Sequence, residues 1–255
     1  MLVVVDNCAD SPAAAALRDL HPRMLEVRRP SNPGFAAGCN AGAATALAAG
    51  AQHLWFLNND ACLVQPVLPT LLQAAGSFPQ VALWGTHQLT ARGELGADHH
   101  GAWYDRGGAA ALPLGAGMRQ LGGRESLSGA SIFVTRPFWE RLGPWPEDYF
   151  LYWEDAAWCA RAHAQRLPVV LLDIGVRHER GTTSGRHSPM TLFYGSRNML
   201  LLHAQLHPRA RLRRLALALY VLQRRLFRGQ LLRLRPLCRG IAAGLRGRRG
   251  RDPRY

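Results

Sequence analysis

Leu54-Trp55-Phe56-Leu57-Asn58-Asn59-Asp60 runs four apolar residues straight into two amides and an acid. A short apolar run bounded by turn-forming residues reads as a buried strand with a polar tip, here His53–Leu57. The same sign recurs on the N-terminal side, where Leu2-Val3-Val4-Val5 stops at Asp6-Asn7. Leu25–Arg28 reads as a strand, and Ser11 with Pro12 reads as a helix start between the two. The glycine-punctuated loop Asn32–Asn40 opens an alanine-rich helix to about Ala49. On the C-terminal side the pattern predicts helix over Pro66–Ser77 and strand over Val81–Gly85. Strand is predicted again over Gly129–Val134, helix over Arg136–Leu142 and Trp153–Gln165, strand over Pro168–Leu172 and helix over Ser188–Leu206. Residues 86–126 are rich in glycine and polar side chains and read as an insertion of loops and hairpin. The alternation of strand and helix predicts an α/β fold with a mostly parallel, doubly wound, Rossmann-like sheet flanked by helices.

The 255 residues suffice for one substantial α/β domain with chain left over. Hydrophobic residues make up 48% and charged residues 19%, which supports a packed core. The five cysteines, Cys8, Cys39, Cys62, Cys159 and Cys238, are scattered and never spaced C-x-x-C. That spacing argues against a zinc ribbon and against a disulfide framework. The net charge of +14 is local: residues 207–255 hold 15 of the 31 basic residues and one of the 17 acids, leaving 16 of each before them. Two regions are therefore expected, 1–206 as the α/β domain and 207–255 as an arginine-rich helical tail.

In that tail Leu212, Leu215, Leu219, Leu222 and Leu226 recur at three- and four-residue intervals among arginines, the pattern of an amphipathic helix. An anionic membrane surface suits it best, a solvated tail comes next, and nucleic acid comes last because no base-stacking aromatic pattern accompanies the charge. No basic segment precedes the first apolar run, so no signal peptide is read, and no apolar stretch is long enough to span a bilayer.

The polar tips carry the chemistry. In an open parallel sheet the C-terminal strand ends converge on one crevice, which would bring Asp6-Asn7, Asn58-Asn59-Asp60 and Glu154-Asp155 together. A carboxylate beside amide oxygens suits a hard divalent cation on a diphosphate, although Asn-Asn-Asp also makes an ordinary turn. Tyr149-Phe150-Leu151-Tyr152-Trp153 runs into Glu154-Asp155 at a helix start. Acids there favour the helix dipole, and a carboxylate among aromatics also suits a general base.

Six pieces in order resemble glycosyltransferase family 2, the inverting GT-A enzymes, and within it the bacterial rhamnosyltransferase-like branch. They are Val4-Val5-Asp6-Asn7, the Asn32–Gly42 loop, Leu57–Asp60, Ser128-Gly129-Ala130, Phe150–Asp155, and His178 ahead of Gly181-Thr182-Thr183-Ser184. The resemblance covers Val3 to about His203. It implies a GT-A fold and transfer of a sugar from a nucleotide-sugar donor, a dTDP- or UDP-sugar, to a saccharide or lipid-linked saccharide acceptor. Taken with the basic tail, it further implies a cytoplasmic enzyme, peripheral on the inner membrane face, in cell-wall or surface-polysaccharide assembly.

By the same resemblance Asp155 is the catalytic base with Glu154 as its neighbour. Asp6 would hydrogen-bond the nucleobase. Asn7, Asn32, Gly34, Phe35, Gly38, Asn40, Asn58, Asn59 and Gly129 would line the donor pocket. Asp60 and His178 would hold Mg2+ or Mn2+. The family's Asp-x-Asp motif here begins with Asn58, leaving one carboxylate. The family pattern also places a βα unit ahead of the strand matched by Leu2–Val5, so a longer native chain is expected. The competing expectations are a non-catalytic relative that binds nucleotide or saccharide, and a basic membrane-associated adaptor.

Overall fold

The computed structural model describes residues 1–8, 17, 21, 23–90, 92–94, 109–178, 188–226 and 234–255. The expected helix start at Ser11-Pro12 and the Gly181–Ser184 stretch lie outside the described residues. The chain divides into two compact units, Met1–Pro146 with Asp155–Glu179, and Glu147–Glu154 with Arg180–Tyr255.

The first unit contains β1 (Leu2–Asp6), β2 (Met24–Arg28), α1 (Phe35–Ala48), β3 (His53–Leu57), β4 (Ala61–Leu63), α2 (Val67–Ser77), β5 (Leu83–Leu89), β6 (Met118–Gln120), β7 (Ser131–Thr135), α3 (Arg136–Leu142), α4 (Glu154–Ala164, from Asp155 onward in this unit) and β8 (Val169–His178). β1 and β2 form a parallel pair. The larger sheet runs β3-β7-β5-β8-β4, with β6 also paired to β8.

Among the described strands the sheet is mixed, not mostly parallel as expected. β5 and β8 are parallel, whereas β3–β7, β5–β7, β4–β8 and β6–β8 are antiparallel. The reason lies in the connections. A parallel neighbour needs a long crossover, usually a helix. β7 follows β6 and a turn-rich stretch instead, and it enters the sheet from the opposite end, between β3 and β5.

Side-chain alternation gives this sheet a core on each face. Leu83, Ile132, Val134, Val169 and Leu171 pack with alanines of α1 and with Trp139, Trp145 and Trp158. Trp84, Phe133, Val170 and Leu172 pack with Val67, Leu71 and Ala74 of α2. α1 lies close on β1 because it presents glycines there: a Cβ at Gly42 would fall 2.8 Å from Val5 Cγ2. β5 and β8 both outrun their expected ends at Gly85 and Leu172. They stay paired to Leu89 and Arg177 across an irregularity at Thr86/His87.

The second unit is helical, with α5 (Pro189–Leu206), α6 (Arg211–Leu226) and α7 (Leu234–Leu245). Ser188 caps α5 by accepting from the Thr191 N–H at 3.1 Å, ahead of Pro189. Gly240 and Gly244 let α7 meet α5 at backbone distance; a Cβ at Gly244 would lie 2.7 Å from the Arg197 carbonyl oxygen. The division expected at 206/207 thus falls inside this unit, because α5 shares its core with the helices that follow. Among the described residues no helix is long and apolar enough to cross a membrane. Cys8, Cys62 and Cys238 are exposed, Cys39 is half-buried and Cys159 is buried, all as free thiols.

Candidate active site

The antiparallel register of β3 with β7 sets Leu57 opposite Ser131, and that of β4 with β8 sets Ala61 opposite His178. The end of β3, the start of β7 and the end of β8 therefore meet at one edge of the sheet. Asn58 continues the β3 ladder by donating its backbone N–H to the Ala130 carbonyl at 3.0 Å. The turn closes when the Ala61 N–H reaches back to the Asn58 carbonyl at 3.1 Å. Asn59 points outward from this turn and is exposed.

His178 lies at the centre of this cluster. Its Nε2 is 3.0 Å from Asp60 Oδ1 and 3.3 Å from Asn58 Nδ2. Its Nδ1 is 3.3 Å from Gln88 Oε1. Gln88, 2% exposed, donates its amide to the Ser128 hydroxyl, so its oxygen is the acceptor that faces the imidazole. The network therefore assigns the proton of a neutral ring to Nδ1 and leaves the Nε2 lone pair facing the Asp60 carboxylate. Two electron-rich atoms at that separation require a proton or a cation between them. Asn58 Oδ1 is also buried without a hydrogen-bond partner. The Asp60 carboxylate and the His178 imidazole are donors of the types that Mg2+ or Mn2+ can take, with the Asn58 amide nitrogen turned toward the ring. Among the described residues no group of three or more His, Cys, Asp or Glu side chains gathers to hold a metal.

Asp155 reaches the same edge from α4. Its Oδ2 accepts from the Gly129 N–H at 2.9 Å and its Oδ1 from the Ala156 N–H at 2.7 Å. These bonds fix the orientation of the carboxylate. Asp155 is 7% exposed and Glu154 is 6% exposed. Residues 128–131 thus connect the acid to the Asn58 turn and, through Ser128, to Gln88 and His178. Beneath them Phe35, Phe56, Trp139, Trp145 and Trp158 interlock, with Trp145 and Trp158 stacked at 4.5 Å. This aromatic block ties α1, β3, α3 and α4 together.

At the end of β1, Asp6 accepts from the Cys8 N–H through Oδ1 at 2.9 Å, and its Oδ2 is buried without a partner. Asn7 Oδ1 is in the same state, while its amide reaches the Gly34 carbonyl at 3.4 Å. Gly34 precedes α1 with φ 104, a conformation that favours glycine, and a Cβ at Gly38 would fall 2.8 Å from Asn7 Nδ2. Asp6, Asn7, Gly34 and Gly38 thus lie together, with Asp6 Oδ2 and Asn7 Oδ1 buried and without a hydrogen-bond partner. Asn32 occupies the turn before α1 with φ 45, its N–H bonded to the Arg29 carbonyl at 3.0 Å. Asn40 is turned elsewhere: its amide bonds the Trp145 carbonyl and N–H, each at 2.9 Å. It anchors α1 to the Gly143–Pro146 turn.

Gln88 and Ser128 went unrecognised as site residues in the sequence because β5 reads as ending at Gly85. The sign that marks the first of them is a buried polar side chain at the next-to-last position of β5, after Thr86 and His87.

No family model matches this chain, and no curated protein matches it in sequence. Its fold is similar to that of the mannosyltransferase PcManGT from Pyrobaculum calidifontis, solved with GDP-Man and Mn2+. That match has 13% identity and TM-score 0.50, covering 95% of this chain and 77% of that one. It is also similar to GalNAc-T7, solved with UDP, GalNAc and Mn2+, at 12% identity and TM-score 0.55 over 78% of this chain and 40% of that one. Identities this low speak to the fold alone: helices flanking a mixed sheet.

Proposed function

We propose that this chain transfers a glycosyl group from a nucleoside diphosphate sugar to an acceptor hydroxyl with inversion, as a member of the rhamnosyltransferase-like branch of glycosyltransferase family 2. The observation that carries the reading is the Asn58–Asp60–His178 cluster, joined through residues 128–131 to the fixed Asp155 carboxylate. Asp6 and Asn7 would accept hydrogen bonds from the nucleoside through their partnerless oxygens. Asp60 and His178 are the residues that would hold Mg2+ or Mn2+, which when bound would supply charge neutralisation to the departing diphosphate. Asp155 takes the proton from the acceptor hydroxyl as that oxygen bonds to the anomeric carbon. The bond from the anomeric carbon to the diphosphate oxygen breaks in the same displacement. No covalent sugar–enzyme species is needed, and Glu154 stands next to the base. A dTDP-linked rhamnose is the first donor to try and a UDP-hexose the second, with a saccharide or lipid-linked saccharide of cell-wall or surface-polysaccharide assembly as acceptor.

The test is thermal stabilisation by nucleoside diphosphates with and without Mn2+, followed by turnover. Metal-dependent stabilisation that is lost in Asp60→Ala, with transfer abolished in Asp155→Asn, is the expected result. Nucleotide binding with no transfer by the unaltered chain would instead identify a non-catalytic binding protein.

A further inference from the structure

One face of α6 is apolar and turned to solvent. At 100° per residue Leu212, Leu215, Leu219 and Leu226 lie along one side of the helix. They are 82%, 47%, 65% and 44% exposed. Leu217, on the opposite side, and Ala218, on the flank, are buried in a core with Leu200, Met199 and Ile241, so α6 already has its packing partners in α5 and α7. The leucine row is a second, unused apolar face. Scattered single leucines are ordinary on a protein surface, but a row at three- and four-residue spacing marks an interaction site. Arg211 and Arg213 are exposed and flank the row on either side, and Arg209 precedes them. No acidic residue occurs in α6.

We propose that this face of α6 lies in the plane of an acidic phospholipid surface, with the leucines among the acyl chains and the flanking arginines on the lipid phosphates. The arrangement matches such a surface in two ways. Guanidinium groups beside an apolar stripe sit at headgroup level when the stripe is inserted. The surplus of basic over acidic residues from 207 onward complements negative lipid charge. A second copy of the chain would bring like-charged arginines of the two α6 helices together, which disfavours self-association. With 16 residues, α6 lies along a bilayer and does not span it. The inference goes beyond the transfer reading and stands on the helix alone.

Flotation of the full chain with vesicles of phosphatidylcholine, with and without phosphatidylglycerol, tests it. Expected is flotation with the acidic vesicles only, weakened by added salt. The triple variant Leu212→Gln, Leu215→Gln, Leu219→Gln should reduce partitioning by at least roughly tenfold. Arg211→Glu with Arg213→Glu should do likewise. Both sets change exposed side chains, and an unaltered melting temperature confirms that the helices remain packed. Equal flotation with neutral vesicles, flotation untouched by the leucine variant, or no flotation at all overturns the proposal. Sedimentation as a dimer that the leucine variant converts to monomer would assign the face to a second copy instead. None of these outcomes bears on nucleotide binding or turnover, so the two readings fail separately.

Discussion

The Asn198 side-chain amide donates to the Tyr152 carbonyl at 2.9 Å and to the neighbouring Leu151 carbonyl at 2.8 Å. Tyr152 and the following Trp153 both carry left-handed φ values, 70 and 75, which non-glycine residues seldom adopt. Asn198 is fully buried, and its oxygen accepts from Arg197 Nε at 2.8 Å. Arg197 in turn donates to the Gly250 carbonyl at 2.6 Å and lies over the Tyr194 ring. The strained turn that leads into Glu154 and Asp155 is thus held by one asparagine, which a buried arginine orients.

Replacing Asn198 with Ala leaves two carbonyls without their donor and should cost about 1–3 kcal/mol of stability. Asn198→Asp should cost more, since a carboxylate facing two carbonyls donates nothing. Urea unfolding followed by tryptophan fluorescence measures both. In the transfer reading, kcat should fall in each variant while nucleotide affinity, read by thermal shift, changes little.

Asp155→Asn should reduce turnover by roughly 100- to 10,000-fold, the usual contribution of a general base. It should also destabilise the fold by about 1 kcal/mol, because one of the two backbone N–H groups that Asp155 accepts from would then face an amide NH2. Steady-state kinetics and chemical denaturation separate the two effects. A variant that loses stability but retains turnover would remove Asp155 from the role of base.

Gly38 and Gly42 should respond differently to Ala. At Gly38 the new methyl meets the end of the Asn7 side chain, which can rotate away. The melting temperature should stay close to that of the parent while nucleotide-dependent stabilisation declines. At Gly42 the methyl meets the branched Val5 Cγ2, fixed in β1, and a loss of about 1–3 kcal/mol is expected.

Burial lowers the proton affinity of His163 from its ordinary value of 6.5, and its Nε2 is 3.0 Å from the Glu125 carbonyl. As pH falls below 6.5 the unfolded chain takes up a proton that the native imidazole resists. Stability from this site is therefore complete above that value and declines as pH drops through the lower native value. His163→Gln retains a donor for Glu125 and should flatten the acid limb of a denaturation-midpoint profile. His203, also lowered by burial, leaves a residual slope in the variant.

Much of this was legible because hydrophobic runs with polar tips are a local signal. β1, β2, β3 and β7 and the helices after Asn32 stand close to where the pattern puts them. Strand direction was not legible, because it depends on how residues 86–130 return to the sheet, and no local pattern records that. β4 and β6 are too short to show periodicity. The second half of β8 is hidden by Asp173 and Gly175, which read as a stop although Gly175 stands there because β5 packs so closely: a Cβ would fall 2.6 Å from Leu89. In the candidate site, Asp60 and Asp155 stand out in the sequence as acids at the ends of apolar runs, whereas His178 enters only through the family resemblance. Gln88, Ser128 and Asn198 act through partners 90, 40 and 46 residues away in the chain, which no local window can show.

The cysteines offer an optical consequence. Burial pushes the Cys159 thiol up to about 12, so it carries no thiolate at neutral pH and will ignore maleimides. Exposed Cys62 opens the Asp60 side of the first unit to a dye, and exposed Cys238 does the same for the helical unit. With Cys8 and Cys39 changed to Ser, a single dye on Cys62 or on Cys238 reports on its own unit, the first as nucleotide or cation is added and the helical one as lipid is added.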